Sequence, residues 1–422
     1  MGFDIKKEKI GKGIDLFTYK SEGFKTACAS ISFAMPLSDG KNAARAVLAS
    51  LLAKTNRDYP TVKEMSKALG MLYGAGTGAS VIKSGESQII RFSVQCIDDR
   101  FALSGESIVL SSIELLINLI FRPDADKGSF PEKNVEREKR LLVEKIRSLE
   151  DDKIYYSADR MISEMCADEY FSVSKYGTVE EIEGLTGRDV FSAFTDMLLH
   201  APVQIHVSGD FDEEEVKKLV SDSFGKIERS EIKELHTEFI SEAYEEKIIR
   251  ETQPINQCKL VIGMRAGMTY DMDNYPAIKL MNDIFGGGVY SKLFRNVREK
   301  QSLCYYCSSR LDKGKGLIII QSGVEKENLQ FAIDSIKKEF DDIRNGNFDD
   351  EVIESSKLSL RDSIMAAYDT PDDIMGWYSS QMAASAVISP EEFIEAIEAV
   401  TREEIMTAAM FASFDTIFVL EN

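Results

Sequence analysis

The chain has 422 residues, 44% of them hydrophobic and 29% charged, with a net charge of −20 at pH 7. That length exceeds one ordinary core and predicts roughly two to four domains of a soluble globular protein. The acidic excess argues against nucleic acid, whose phosphates need Lys and Arg to neutralise them, and suits cationic peptides or plain solubility.

In chain order, the opening MGFDIKKEKIGKGIDLF has no signal-peptide core, and Lys6 stands where a myristoylation signal needs Ser or Thr. With no apolar run of membrane-spanning length, a cytoplasmic location is expected. ACASISFAMPLSD, from Ala27, reads as an apolar strand passing through polar residues into a helix over Lys41 to Lys54, KNAARAVLASLLAK. Gly74, Gly76 and Gly78 follow a helix and open a strand, the reverse of what a dinucleotide fingerprint requires. A strand pair spans Ala75–Cys96, and Val135, Leu142, Ile146 and Leu149 line one face of a later helix. Leu185 to Val207 is a Thr-capped helix with acidic residues in its first turn, followed by a short strand. Val216, Leu219, Val220 and Phe224 mark one more amphipathic helix before a polar stretch with seven Glu from Glu228 to Glu246.

The second half repeats the first. QCKLVIGMRAGMTYD, from Gln257, resembles the strand from Ala27; a strand pair recurs at Leu303–Ser322; and Val400 to Leu420 repeats the closing helix and strand. The expected fold class is α+β, in two similar halves with strands segregated from helices: 1–228, an acidic linker 229–246, and 247–422. GGGVYSK lacks P-loop spacing, and no GxSxG nucleophile elbow occurs.

Ser291 to Tyr306, SKLFRNVREKQSLCYY, is the most informative segment. Leu293, Phe294 and Val297 form a helical stripe, Leu303 to Ser309 runs extended, and Arg298 and Tyr305 fall seven residues apart on one rim. Phe285, Gly286, Gly287 and Gly288 precede the helix and permit close backbone approach. Cys304 and Cys307 form a CxxC in a strand rather than at a helix N-terminus, so buried small hydrophobes are the expected role. Six scattered cysteines make no disulfide framework and no zinc ribbon. His200, His206 and His236 share no helical face, and exposed or edge positions are expected for them; His206 falls opposite Val203, Ile205 and Val207.

The order Gly-rich turn, SKLF helix, REK, LCYY strand resembles the C-terminal half-motif of the M16 zinc peptidases (pitrilysin, insulinase, mitochondrial processing peptidase). In that family such an Arg and Tyr contact bound peptide, which assigns substrate contact to Arg298 and Tyr305, with Phe285 and Gly286 to Gly288 beside them. The resemblance implies two homologous αβ-roll domains of the LuxS/M16 metalloenzyme type, forming half of a clamshell. Active members carry HxxEH on the first helix, two His binding zinc and the Glu acting as base. Here Ala46, Ala49 and Ser50 stand in those places, and the chain's first histidine is His200. The later zinc-ligand position falls at Lys145 or its neighbour Glu144, in a helix that keeps Glu138. The resemblance therefore implies no metal or other cofactor of its own. It implies a non-catalytic, substrate-binding subunit of a heteromeric endopeptidase, acting on peptide or unfolded polypeptide beside a homologous zinc-bearing partner. The alternative is a stand-alone peptide-binding or scaffold protein; a third reading is an enzyme using the CxxC.

Overall fold

The computed structural model describes residues 4–384 and 386–422. Among them, β1 (Asp4–Gly11), β2 (Ile14–Lys20), β3 (Thr26–Pro36), β4 (Gly76–Ser84), β5 (Ser87–Ile97) and β6 (Val203–Gly209) form a sheet ordered β1-β2-β6-β3-β5-β4. A second sheet, ordered β7-β11-β8-β10-β9, contains β7 (Lys247–Thr252), β8 (Cys258–Arg265), β9 (Cys304–Asp312), β10 (Leu317–Val324) and β11 (Ser413–Glu421).

The sequence repeat reappears as topology. With β1 set aside, each sheet has the same order and one parallel pair, β2 with β6 and β7 with β11. A parallel pair requires a long crossover, and in both halves the crossover ends in the same device. Thr186 caps the helix Gly187–His200 before β6, and Thr401 caps the helix Arg402–Phe411 before β11. Each cap is reciprocal, with Asp189 or Glu404 reaching back to the cap residue, an arrangement that stabilises a helix start by about 1 kcal/mol.

Packing does not follow the linear boundaries throughout. One compact unit contains residues 1–146, 174–236 and 367–383; the other contains 147–173, 237–366 and 384–422. In the first, Ile374, Met375 and Tyr378 of the helix Pro371–Ser379 pack on Phe17, Tyr19 and Cys28 of the sheet. In the second, Ala158, Met161 and Met165 of the helix Lys153–Met165 pack on Val261, Ile319 and Phe418. Gly263 makes room for that helix, because a side chain there would run into Met161 and Met165.

Residues 229–246 have neither helix nor strand but are held in place. In the first unit, Lys233 Nζ lies 3.0 Å from Asp196 and 3.2 Å from Asp39. In the second, Ala243 N donates to Ser413 Oγ at 3.0 Å, and Glu246 pairs with Lys337 at 2.7 Å. No helix among the described residues is long and apolar enough to cross a membrane.

Candidate functional site

The segment carrying Arg298 begins as expected with a helix, but of an unusual kind. Leu293–Lys300 is π-helical, and Gln301 N donates to the Asn296 carbonyl five residues back at 3.1 Å. Such widened turns are rare and frequently sit at functional sites. Leu293 and Val297 are fully buried and anchor the element. Ser302 then adopts a left-handed backbone, φ 52°, which costs a non-glycine residue on the order of 1 kcal/mol. The turn is closed by Leu303 N donating to the Val297 carbonyl at 3.2 Å.

β9 is an edge strand with β10 as its ladder neighbour. The ladder slips near its start: Cys307 faces Ser322 and Cys304 faces Val324, so Tyr305 and Tyr306 together oppose Gly323. Such a bulge bends the strand and re-aims a side chain. Tyr305 is thrown outward, 73% exposed. A side chain on Gly323 would collide with the Tyr306 ring at 2.7 Å, which is why glycine suits the position.

Arg298 and Tyr305 line one recess of about 390 Å³ with Ser302, Cys304, Glu325 and Asn328. The Arg298 guanidinium sits over the Phe294 ring, 4.4 Å from its centroid. Its ion pair with Glu299, at 3.6 Å between half-exposed groups, contributes little. Among the described residues no hydrogen bond joins Arg298 to Tyr305; both present donors to the same space.

Cys304 is half-exposed at this recess and Cys307 is buried behind it. The Cys307 thiol donates a hydrogen bond to Cys304, and this, with the Arg298 charge, pulls the Cys304 thiol down to about 7 against the push of burial. The same bond and burial raise Cys307. Ser322 adds less, since its one proton goes to the Tyr306 carbonyl at 2.9 Å. The burial expected of these cysteines holds for Cys307 and not for Cys304.

The glycine-rich run divides. Phe285, expected at the rim, is a core residue with no exposed surface, edge-on to Phe340 at 5.1 Å. It lies inside the helix Tyr275–Gly286, on the face turned to the core. Gly286 is also buried, and a Cβ there would stand 2.5 Å from the Ser309 backbone nitrogen of β9. The close approach is thus to the protein's own strand. Gly287 is exposed and Gly288 half-exposed.

At the family's zinc positions, Ala46 and Ala49 are buried on the helix Asn42–Lys54 and offer only methyl groups; Ser50 is half-buried. Beside them, fully buried Arg45 bonds Gln88 at 2.6 Å and Asp39 at 2.8 Å. Burial would raise the Asp39 carboxyl, but the Arg45 hydrogen bond and charge hold it below its ordinary value. Glu138, which could have served a metal, is committed to Lys54 at 2.7 Å and Arg137 at 2.8 Å. Lys145 is exposed, its ammonium 4.8 Å from the Tyr176 ring centroid. These side chains do not suit zinc.

His206 corrects an expectation. It is fully buried, with Nδ1 2.8 Å from Tyr19 Oη and Nε2 3.2 Å from Gln204 Oε1, stacked on Phe17. β6 is an inner strand, and the Pro371–Ser379 helix covers the His206 side. Glu325 and Asn328 reach the recess from just after β10, and no local motif in the sequence marks them.

Residues 187–360 match the family model described as Peptidase M16 inactive domain. The chain is 30% identical over 416 residues to "Probable inactive metalloprotease YmfF" of Bacillus subtilis (strain 168), covering 99% of this chain and 97% of that one. A conserved protein from Enterococcus faecalis V583 has a crystal structure with a TM-score of 0.91 and 28% identity, covering 99% of both chains. The peptidase M16 inactive domain from Pseudomonas fluorescens superposes with a TM-score of 0.82 over 99% of this chain and 98% of that one; at 16% identity it speaks for the fold alone. On this likeness along nearly its full length, the chain belongs to the M16 peptidase family and is a member that lacks the HxxEH motif.

Proposed function

We propose that this chain is the non-hydrolytic, substrate-gripping subunit of a heteromeric M16-type endopeptidase, acting in the cytoplasm beside a homologous zinc-bearing partner. The observation that carries the reading is the Arg298–Tyr305 recess on an edge strand, in a chain with Ala46 and Ser50 at the zinc-binding positions. An extended peptide adds to the open side of β9 by backbone hydrogen bonds. Arg298 and Tyr305 then hold the peptide backbone and offer donors to the charge that grows on the scissile carbonyl oxygen. Hydrolysis itself belongs to the partner.

The test is reconstitution. The purified chain alone should cleave neither casein nor fluorogenic peptides, and pull-down from native extract should recover a similar-sized chain carrying HxxEH. In the pair, Arg298→Ala or Tyr305→Phe should lower turnover without dissociating the subunits, by roughly a hundred- to thousand-fold if the lost donor serves the oxyanion. Zinc-dependent cleavage by the lone chain would overturn the reading. A pair indifferent to both substitutions would favour a scaffold.

A further inference from the structure

The six cysteines fall into two classes. Cys28, Cys96, Cys166, Cys258 and Cys307 are buried, while Cys304 is half-exposed on the recess. Burial raises four of these buried thiols, Cys28 and Cys166 to about 12, Cys96 to about 11, and Cys258 less far. Cys304 alone moves in the direction that favours thiolate at neutral pH.

The β9 bulge supplies the geometry. In a regular strand, residues three apart point to opposite faces. The extra residue opposite Gly323 cancels that alternation and sets Cys304 and Cys307 on the same face of β9. Cys304 reaches solvent through the recess and Cys307 waits behind it. The charged groups around Cys304 are Arg298 and Glu299 of the π-helix and Glu325 beyond β10.

We propose that Cys304 and Cys307 are an oxidisable dithiol, a modification site for hydroperoxides at the mouth of the recess. The Cys304 thiolate attacks the outer oxygen of the hydroperoxide; an S–O bond forms, the O–O bond breaks, and the alkoxide or hydroxide released takes up a proton. The product at Cys304 is a sulfenic acid. Cys307 then attacks the Cys304 sulfur; the S–S bond forms, the S–O bond breaks, and hydroxide leaves as water with the Cys307 proton. Two electrons pass from the sulfurs to the peroxide, and a small dithiol returns them. Closure brings the two Cα atoms within about 7 Å, which tightens the bulge that holds Tyr305 outward. On the reading of Arg298 and Tyr305 as a peptide grip, oxidation therefore weakens substrate binding.

The experiment uses the full chain, hydrogen peroxide and mass spectrometry, with no partner or peptide, so its outcome is independent of the proposed function. Mild peroxide should remove two hydrogens per chain and place a disulfide between Cys304 and Cys307. Cys307→Ser should accumulate a dimedone-reactive sulfenic acid at Cys304, and Cys304→Ser should stay reduced. In the unsubstituted protein, iodoacetamide should label Cys304 roughly tenfold faster at neutral pH than any other cysteine, as its greater thiolate fraction requires. This last measurement needs no variant to fold. Even labelling of all six cysteines, or peroxide treatment that leaves Cys304 and Cys307 as thiols, would overturn the proposal.

Discussion

The Arg298 guanidinium is seated on the face of Phe294, four residues earlier, with 4.4 Å between the guanidinium carbon and the ring centroid. The contact fixes the position of the cation without consuming a hydrogen-bond donor, and such stacking at a partly exposed site contributes about 0.5–1 kcal/mol. Phe294→Ala should therefore weaken peptide binding roughly two- to five-fold while leaving the thermal midpoint nearly unchanged. Calorimetric titration with an extended peptide checks it, and an equal loss from Phe294→Leu would show that the ring face, not bulk, is what matters.

Tyr19 and His206 make stability depend on pH. Burial, with the Arg91 charge adding, pushes His206 down to about 3. The Tyr19 hydroxyl donates to Nδ1, leaving the Nε2 proton for Gln204. The unfolded chain takes up a proton near pH 6.5, and the folded chain does not. Stability from this site is complete above pH 6.5 and is lost as pH falls toward 3. Between pH 6.5 and 5 the loss is about 2 kcal/mol. Denaturant melts at both values, for wild type and His206→Gln, should show that slope in wild type and its reduction in the variant.

Glu169 ties residues 147–173 into the second unit through charge. Arg265 Nη2 lies 2.7 Å from it, Lys315 Nζ 2.6 Å, and Arg265 Nε reaches Asp415 at 2.8 Å, all buried. Burial alone would raise Glu169, yet hydrogen bonds from Arg265 and Lys315 hold it below its ordinary value. Removing one partner strands the other charges, so Glu169→Ala should cost about 3–5 kcal/mol, read as a lower denaturation midpoint.

Gly286 and Gly76 make a matched pair of tests. A methyl on Gly286 meets the β9 backbone at 2.5 Å, where nothing flexible can yield. Gly286→Ala should destabilise by about 1–3 kcal/mol and disturb β9. A methyl on Gly76 meets nothing within 4 Å, and Gly76→Ala should change stability by less than about 0.5 kcal/mol.

Where the physics is local, the sequence shows the fold directly. The Thr186 and Thr401 caps, the strand from Ala27 and its echo from Gln257 follow from capping chemistry and alternation. Arg298 and Tyr305 line one recess because a short helix followed by a strand leaves few other outcomes. Two of the misplacements come from a partner distant in the chain, and one from a local ambiguity. The sequence predicts an exposed or edge His206 because the helix Pro371–Ser379, which encloses it, comes more than 160 residues later. Phe285 looked like part of a turn because the glycines after it hid that the helix runs through Gly286. The bulge that pairs Cys304 with Cys307 depends on Gly323 across the ladder, and nothing within the CxxC announces it.

The allocation of residues 147–173 to one unit and 367–383 to the other forbids a simple dissection. Fragments produced separately on either side of the acidic stretch would each lack a helix borne by the sister fragment. Tyr19 and Tyr378 could not stack in one fragment, nor Phe418 shelter under Met161 in the other. Each fragment should be insoluble when made singly and recoverable when both are co-expressed. Each of the two similar halves thus completes its core with a helix from beyond its own stretch of chain.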